Sequence, residues 1–230
     1  MKNPPIKIAP SILNADLLRL DRAVAVAEHG RADAIHVDVM DGHFVPNLSM
    51  GPHIVECLHS ATRLPLDVHL MVTNPGEHVD SFIKAGASNL TIHVEAKGDI
   101  AAILRRIKRG GVRSSICLKP DTPASKAGKY LALADMVLIM TVHPGYGGQK
   151  FMKSMLPKIR KLREMAGSRY ENLDIEVDGG IIPATAIETV KAGANVLVAG
   201  WAIYGSRNPV KAAVRLRDIA ECAMRERRKC

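Results

Sequence analysis

The sequence predicts an α/β protein, a (β/α)8 TIM barrel occupying residues 1–230 as one domain. Three observations carry this. Eight short apolar, β-branched segments alternate with eight helix-like segments along the 230 residues. Each strand–helix unit takes about 29 residues, the length of a strand, a helix and two short loops. The first strand runs into SILNAD without a glycine, whereas an open dinucleotide-binding sheet would need G-x-G-x-x-G there.

The units follow in order. The first strand is read at residues 6–12 (IKIAPSI), with its helix near 15–29. The second strand is DAIHVDVM (33–40) and the third PLDVHLMV (65–72), with helices near 50–60 and 75–85. NLTIHVE (89–95) and VRSSICL (112–118) are the fourth and fifth, with helices near 99–109 and 122–131. DMVLIMTV (135–142) is the sixth, followed by a helix near 152–166. LDIEVD (173–178) is the seventh; Pro183 opens its helix, 183–192, at the position where a proline costs least. NVLVAG (195–200) is the eighth, with a helix near 208–227. KAGA occurs at 84–87 and 191–194, each time ending a helix on a glycine, Gly86 or Gly193, just before a strand. The phrases AGASNLTIHVEA and AGANVLVAGWA echo one another, as a repeated strand–helix plan would.

Composition narrows the function classes. The chain is 47% hydrophobic, enough for a large core, and no linker or low-complexity run divides it. It has no apolar run long enough to span a bilayer, and its N-terminus follows neither a signal-peptide nor a transit-peptide pattern, so a cytoplasmic protein is expected. Cys57, Cys117, Cys222 and Cys230 form no C-x-x-C pair, which suits reduced thiols. The net charge is +9, but aromatic residues are only 3%, too few to stack bases, so no nucleic-acid partner is expected. Attraction of a phosphorylated metabolite is the more economical use of the charge.

A barrel puts its chemistry at the C-terminal ends of its strands. His36 and Asp38 are two residues apart at the end of the second strand, so they share a face, while Val37 and Val39 face the helices. His69 ends the third strand and Asp178 the seventh. One strand histidine is ordinarily a hydrogen-bonded core residue, and His93 is read that way or as a supporting group. Two histidines and two carboxylates at strand ends are harder to explain as packing, because an unpaired buried charge is costly. Their convergence predicts a site for one divalent transition metal; the N and O donors leave zinc, manganese, iron(II) and cobalt open. The neutral imidazoles need partners on their other nitrogens, and Glu176, on the face of Asp178, is the candidate. Asp41 belongs with Gly42 to the turn leaving the second strand and is not counted as a ligand.

Glycine clusters follow the sixth, seventh and eighth strands: HPGYGG (143–148), Gly179–Gly180 and Gly200. A single pair marks only a tight turn. Three clusters in successive loops point to backbone N–H groups gathered around a phosphate.

APSIL (9–13), HVDVMDGHFVPN (36–47), HLMV (69–72), HPGYGGQKF (143–151) and VDGG (177–180) together resemble the ribulose-phosphate 3-epimerase family. The resemblance spans most of the chain. It implies a ribulose-phosphate-binding barrel that interconverts D-ribulose 5-phosphate and D-xylulose 5-phosphate in the pentose phosphate and Calvin cycles, with one divalent metal per subunit, in a homo-oligomer. His36, Asp38, His69 and Asp178 are then the metal ligands, and Asp38 and Asp178 also the acid–base pair. Ser11 and His69 lie at the substrate, and Met40, Met71 and Met140 line the pocket. Gly147, Gly148, Gly179, Gly180, Gly200 and the residue at 201 receive the phosphate.

Two departures stand out. His143 occupies the place where the family usually has Asn, and Trp201 the place where it usually has Ser after A-G. The tryptophan keeps the backbone N–H, lacks the hydroxyl and adds bulk. An epimerase of another ketose phosphate, such as D-allulose 6-phosphate, is therefore the nearest alternative. A barrel aldolase or decarboxylase working through an enediolate is a more distant one, and a catalytically inactive scaffold is argued against by the intact His/Asp set.

Overall fold

The computed structural model describes residues 4–227; Cys230 lies outside them. Eight strands form one all-parallel sheet: β1 (Lys7–Pro10), β2 (Ile35–Met40), β3 (Leu66–Met71), β4 (Asn89–His93), β5 (Arg113–Leu118), β6 (Met136–Met140), β7 (Asp174–Asp178) and β8 (Val196–Ala199). Their order is β1-β8-β7-β6-β5-β4-β3-β2, and a parallel bridge from Ser11 to His36 brings the two ends together. This is the expected (β/α)8 barrel. Around it lie α1 (Leu20–His29), α2 (Pro52–Ala61), α3 (Val79–Lys84), α4 (Ile100–Arg109), α5 (Leu156–Ala166), α6 (Pro183–Ala192), α7 (Trp201–Tyr204) and α8 (Pro209–Arg227). No helix among the described residues is long and apolar enough to cross a membrane.

Side-chain alternation along the strands makes two interiors. Val37, Val39, Val68, Leu70, Ile92, Val137, Ile139 and Val177 join the helix residues in the main core. In α4, Ile100, Ile103, Leu104 and Ile107 are buried at helical spacing, and the Asp99 carboxylate caps the first turn by accepting from the Ala102 N–H at 3.1 Å. The alternate residues face the barrel axis and are polar on one side. The Asn89 amide donates to Asp67 Oδ1 at 2.6 Å, and Ser115 Oγ donates to Asn89 Oδ1 at 2.6 Å. Asp67, Asn89 and Ser115 thus satisfy one another, which limits the cost of that part of a polar barrel interior.

The helices depart from expectation in several places, and those expected near 75–85 and 152–166 open with 3-10 turns, Pro75–Glu77 and Lys153–Met155. Residues Ala124–Tyr130 form a 3-10 helix in place of an α-helix. Ala124, Ala127 and Tyr130 are its buried residues, and a spacing of three lines up only on a three-residue turn. The helix expected from 15 starts at Leu20, because the Asp16 carboxylate accepts from the Leu18 N–H at 3.0 Å and closes a separate 3-10 turn. The short α7 directly after β8 was not anticipated. Gly86 and Gly193 both have positive φ, +96° and +129°, as helix-ending glycines should.

Candidate active site and metal centre

The neighbouring strands β2 and β3 are in register so that His36 lies beside Asp67 and Asp38 beside His69. Asp178 ends β7, three positions around the barrel from β2, with β1 and β8 between them. One donor atom from each of His36, Asp38, His69 and Asp178 lies within 4.8 Å of the others. The four residues that the sequence put forward therefore converge.

Hydrogen bonds fix which imidazole nitrogen faces this point. His36 Nδ1 lies 2.7 Å from Asp67 Oδ2, so it carries the proton and donates, which leaves Nε2 with a lone pair. His93 Nδ1 likewise donates to Glu95 Oε2 at 3.1 Å, so His93 Nε2 is the acceptor for His69 Nε2 at 2.9 Å. That leaves His69 Nδ1 unprotonated. Burial keeps His69 below the usual imidazole range and holds His93 at about 4, so both stay neutral. His36 Nε2 and His69 Nδ1 are buried and bonded to nothing among the described residues. They lie 3.4 Å and 3.6 Å from the same atom, Asp38 Oδ1. Two lone pairs aimed at one carboxylate oxygen repel one another unless a cation sits among them. The donor set fits a divalent metal.

The charges around this point agree. Burial opposes a charge on His36, yet Asp38 and Asp67 outweigh it and raise its basicity well above the ordinary range, so the point that Nε2 faces favours a positive charge. Burial also opposes ionisation of Asp38, but His36 and His69 hold it well below the usual carboxylate range. Ser11 Oγ donates to the other oxygen, Asp38 Oδ2, at 2.6 Å. Asp178 moves the other way: burial, and then the charge of Asp38, raise it to about 7. Two carboxylates in one site thus differ strongly in their hold on a proton.

The partner of His36 differs from expectation. Glu176 Oε1 is 4.0 Å from His36 Nδ1, and neither Glu176 oxygen accepts a hydrogen bond among the described residues; Asp67 takes the position. Burial and the charge of Asp67 keep Glu176 protonated, which makes it a poor acceptor for an imidazole N–H. Asp67 was legible in principle. It precedes His69 by two, the same spacing that paired His36 with Asp38.

Above the four residues opens a cleft of about 290 Å³. Ser11, Asp38 and Asp178 line its floor together with Met40, Met71 and Met140, all three buried. His36 and His69 lie beneath this lining. The glycine end comprises Gly147, Gly148, Gly179, Gly180 and Gly200 with Trp201. Gly180 has φ +66°, and a Cβ there would come within 2.4 Å of the Phe151 backbone nitrogen, so only glycine fits. The N–H groups of Gly147, Gly148 and Gly180 donate to no backbone carbonyl among the described residues. Trp201 is 65% exposed, and its ring lies over Gly205, at the rim. Asn14 also lines the cleft, a residue the sequence reading passed over.

Comparison with known proteins points the same way. The profile of the ribulose-phosphate 3 epimerase family matches residues 7–204. The chain is 47% identical to the ribulose-phosphate 3-epimerase of Bacillus subtilis over 213 residues, covering 92% of this chain and 98% of that one. It is 43% identical to the ribulose-phosphate 3-epimerase of Synechocystis over 215 residues, 93% of this chain and 94% of that one. The chloroplastic ribulose-5-phosphate-3-epimerase of Arabidopsis thaliana is 45% identical over 209 residues, 90% of this chain and 74% of that one. Among solved structures, KGPDC from Streptococcus mutans superposes with a TM-score of 0.69 at 18% identity, covering 96% of this chain and 99% of that one, a likeness of fold. Matched over most of its length, and carrying the metal-ready cluster beneath its cleft, the chain belongs to the ribulose-phosphate 3-epimerase family.

Proposed function

We propose that the protein inverts C3 of D-ribulose 5-phosphate to give D-xylulose 5-phosphate, reversibly, by passing a proton between two aspartates. The observation that carries this is the meeting of two carboxylates from separate strands, buried Asp38 and half-buried Asp178, at the floor of one cleft, with the first held ionised and the second raised to about 7. Inversion next to a ketone needs a base on one face of the carbon and an acid on the other, and environments that split two carboxylates supply both. Asp38 takes the C3 proton, the electron pair moves between C2 and C3 to form an enediolate, and Asp178 returns a proton to the opposite face. The roles exchange in the reverse direction. Ser11 holds Asp38 by one oxygen and keeps the other aimed at its partners. Met40, Met71 and Met140 exclude water without competing as strong hydrogen-bond donors. The glycine loops hold the phosphate, so C3 is fixed at the far end.

His36, Asp38, His69 and Asp178 would hold one divalent metal per subunit, and zinc, manganese, iron(II) and cobalt all suit the N and O donors. When bound, such an ion supplies positive charge that acidifies the C3 hydrogen and stabilises the developing oxyanions. The site is supported by the two unpartnered imidazole nitrogens that flank Asp38 Oδ1. We also propose that the chain is one cytoplasmic domain acting on a small phosphorylated ketose and assembling as a homo-oligomer. The exposed Leu17, Leu18 and Leu48 side chains support the assembly, and sedimentation velocity tests it.

Asp38→Asn and Asp178→Asn are each expected to lower kcat at least roughly 100-fold in the metal-loaded enzyme, with solvent deuterium entering C3 of product only in the wild type. Near-wild-type turnover in both variants overturns the two-aspartate scheme. Trp201 at the rim favours a second reading, epimerisation of a longer ketose phosphate such as D-allulose 6-phosphate. A six-carbon substrate turning over much faster than ribulose 5-phosphate in a substrate panel would establish it.

A further inference from the structure

The glycine end of the cleft contains a side chain with no partner. Asn14 ends the 3-10 turn Ile12–Asn14 and reaches between the loop after β6 and the end of β8. A Cβ built on Gly200 would stand 2.1 Å from Asn14 Oδ1, and one on Gly147 would stand 2.4 Å from Asn14 Nδ2. The amide is thus in contact with two glycines from separate loops, and any larger residue at either position would displace it. Neither amide atom makes a hydrogen bond with a described residue.

Other neutral side chains at this end are committed. Thr185 Oγ1 donates to the Gly180 carbonyl at 2.9 Å. Gln149 Nε2 donates to the carbonyls of His143 at 2.7 Å and Tyr146 at 2.9 Å. Residue 201 brings no hydroxyl, and its indole covers Gly205. A phosphate seated against the free N–H groups of Gly147, Gly148 and Gly180 still needs donors for its remaining oxygens. Asn14 is the uncommitted neutral donor within reach of the same glycines.

We propose that the side-chain amide of Asn14 is a ligand of the substrate phosphate, donating from Nδ2 and closing the cradle on the side of the loop after β1. This rests on the reading of the substrate as a ketose phosphate. If Asn14 were only a spacer between the two loops, leucine, larger but with the same branching at Cγ, would keep phosphate affinity wherever the variant folds. If it is a donor, leucine fails, and aspartate, nearly isosteric but anionic, fails further.

Inorganic phosphate binding by calorimetry, alongside steady-state kinetics with ribulose 5-phosphate, tests this on the wild type, Asn14→Leu and Asn14→Asp, each first checked for folding by its thermal transition. Asn14→Leu is expected to weaken inorganic phosphate roughly 10-fold and to raise KM by a similar factor, with the smaller part of the loss in kcat. Asn14→Asp is expected to weaken phosphate at least roughly 100-fold, because a carboxylate then faces the anion. Wild-type phosphate affinity in Asn14→Leu, or loss confined to kcat, overturns the assignment. If Asn14→Leu does not fold, retention of wild-type affinity by Asn14→Asp overturns it equally. A wild type that binds inorganic phosphate but does not epimerise ribulose 5-phosphate refutes the functional reading instead, and the binding comparison still decides the role of Asn14.

Discussion

Asp67 and the His93–Glu95 pair lie below the cleft, yet they decide which nitrogen of His36 and His69 faces it. Their removal is expected to act through the imidazoles on any metal held there. Asp67→Ala is expected to weaken divalent metal binding about 10–100-fold, measured by titrating the metal-free protein, because the His36 ring loses its anchor and its Nδ1 proton loses its acceptor. Metal affinity equal to wild type would show that His36 is oriented by packing alone. Trp201 acts at the other end of the cleft. Trp201→Ser is expected to change KM for the phosphate ester and to leave kcat nearly as it was; an unchanged KM would place the indole beyond the reach of substrate. Asp67 shows what a residue-by-residue reading loses. It shares its strand face with His69 by the same period of two that singled out His36 and Asp38, but a carboxylate one layer below the strand ends looks like a cost until the neighbouring histidine is placed beside it.

The loop after β2 has a structural task that its sequence motif does not announce. The Asn47 amide donates to the Gly145 carbonyl at 2.9 Å, and the Tyr146 hydroxyl donates to the Pro46 carbonyl at 2.9 Å. HFVPN therefore clamps the glycine loop that follows β6. Asp41 organises the clamp: Oδ1 accepts from the N–H groups of His43 at 2.9 Å and Phe44 at 2.8 Å, and Oδ2 accepts from the Thr73 N–H at 2.7 Å. Burial opposes its ionisation, but these three backbone donors win and lower its carboxyl to about 2. A lowered folded-state value stabilises the protein above the unfolded value near 3.8, and that contribution is lost as pH falls towards 2. Asp41→Asn is accordingly expected to melt lower than wild type at pH 6, with the gap narrowing as pH falls from about 4 to about 2 in thermal scans. A gap that persists unchanged at the acid end would mean that the carboxylate charge contributes nothing to the turn. The 3-10 helix at Ala124–Tyr130 was hidden for a comparable reason: the alanines fit either helix by propensity, and the three-residue spacing of the buried positions appears only once the barrel wall is present.

The whole barrel separates its two ends, and this explains what could be read early. Strand count, alternation and the four candidate ligand residues depend on spacing within single strands, so they were visible in the chain. The partner of His36, the amide of Asn14 and the tautomer relay depend on which strands and loops become neighbours when the sheet closes. The same separation gives a crossed test. At the far end, Lys7 Nζ and Arg113 Nη2 meet the buried Asp174 carboxylate at 2.7 Å and 2.6 Å, with Asn195 Nδ2 at 2.8 Å. Asp174→Ala removes the acceptor that these three donors share and is expected to cost about 1–3 kcal/mol, lowering Tm by roughly 3–10 °C in a chain of this size. Asp174 is remote from the cleft, so the rise in Tm on adding metal should survive. For a metal at about 100 times its Kd, that rise corresponds to about 2.7 kcal/mol, or roughly 5–10 °C. Asp178→Asn should behave in the opposite way. In metal-free protein at pH 8 it removes a carboxylate whose ionisation burial and Asp38 disfavour, so its Tm should match or exceed wild type, while the increment with metal shrinks. Thermal scans of both variants with and without metal decide the matter. An increment lost in Asp174→Ala, or kept whole in Asp178→Asn, would place the ion away from the ends of β2, β3 and β7.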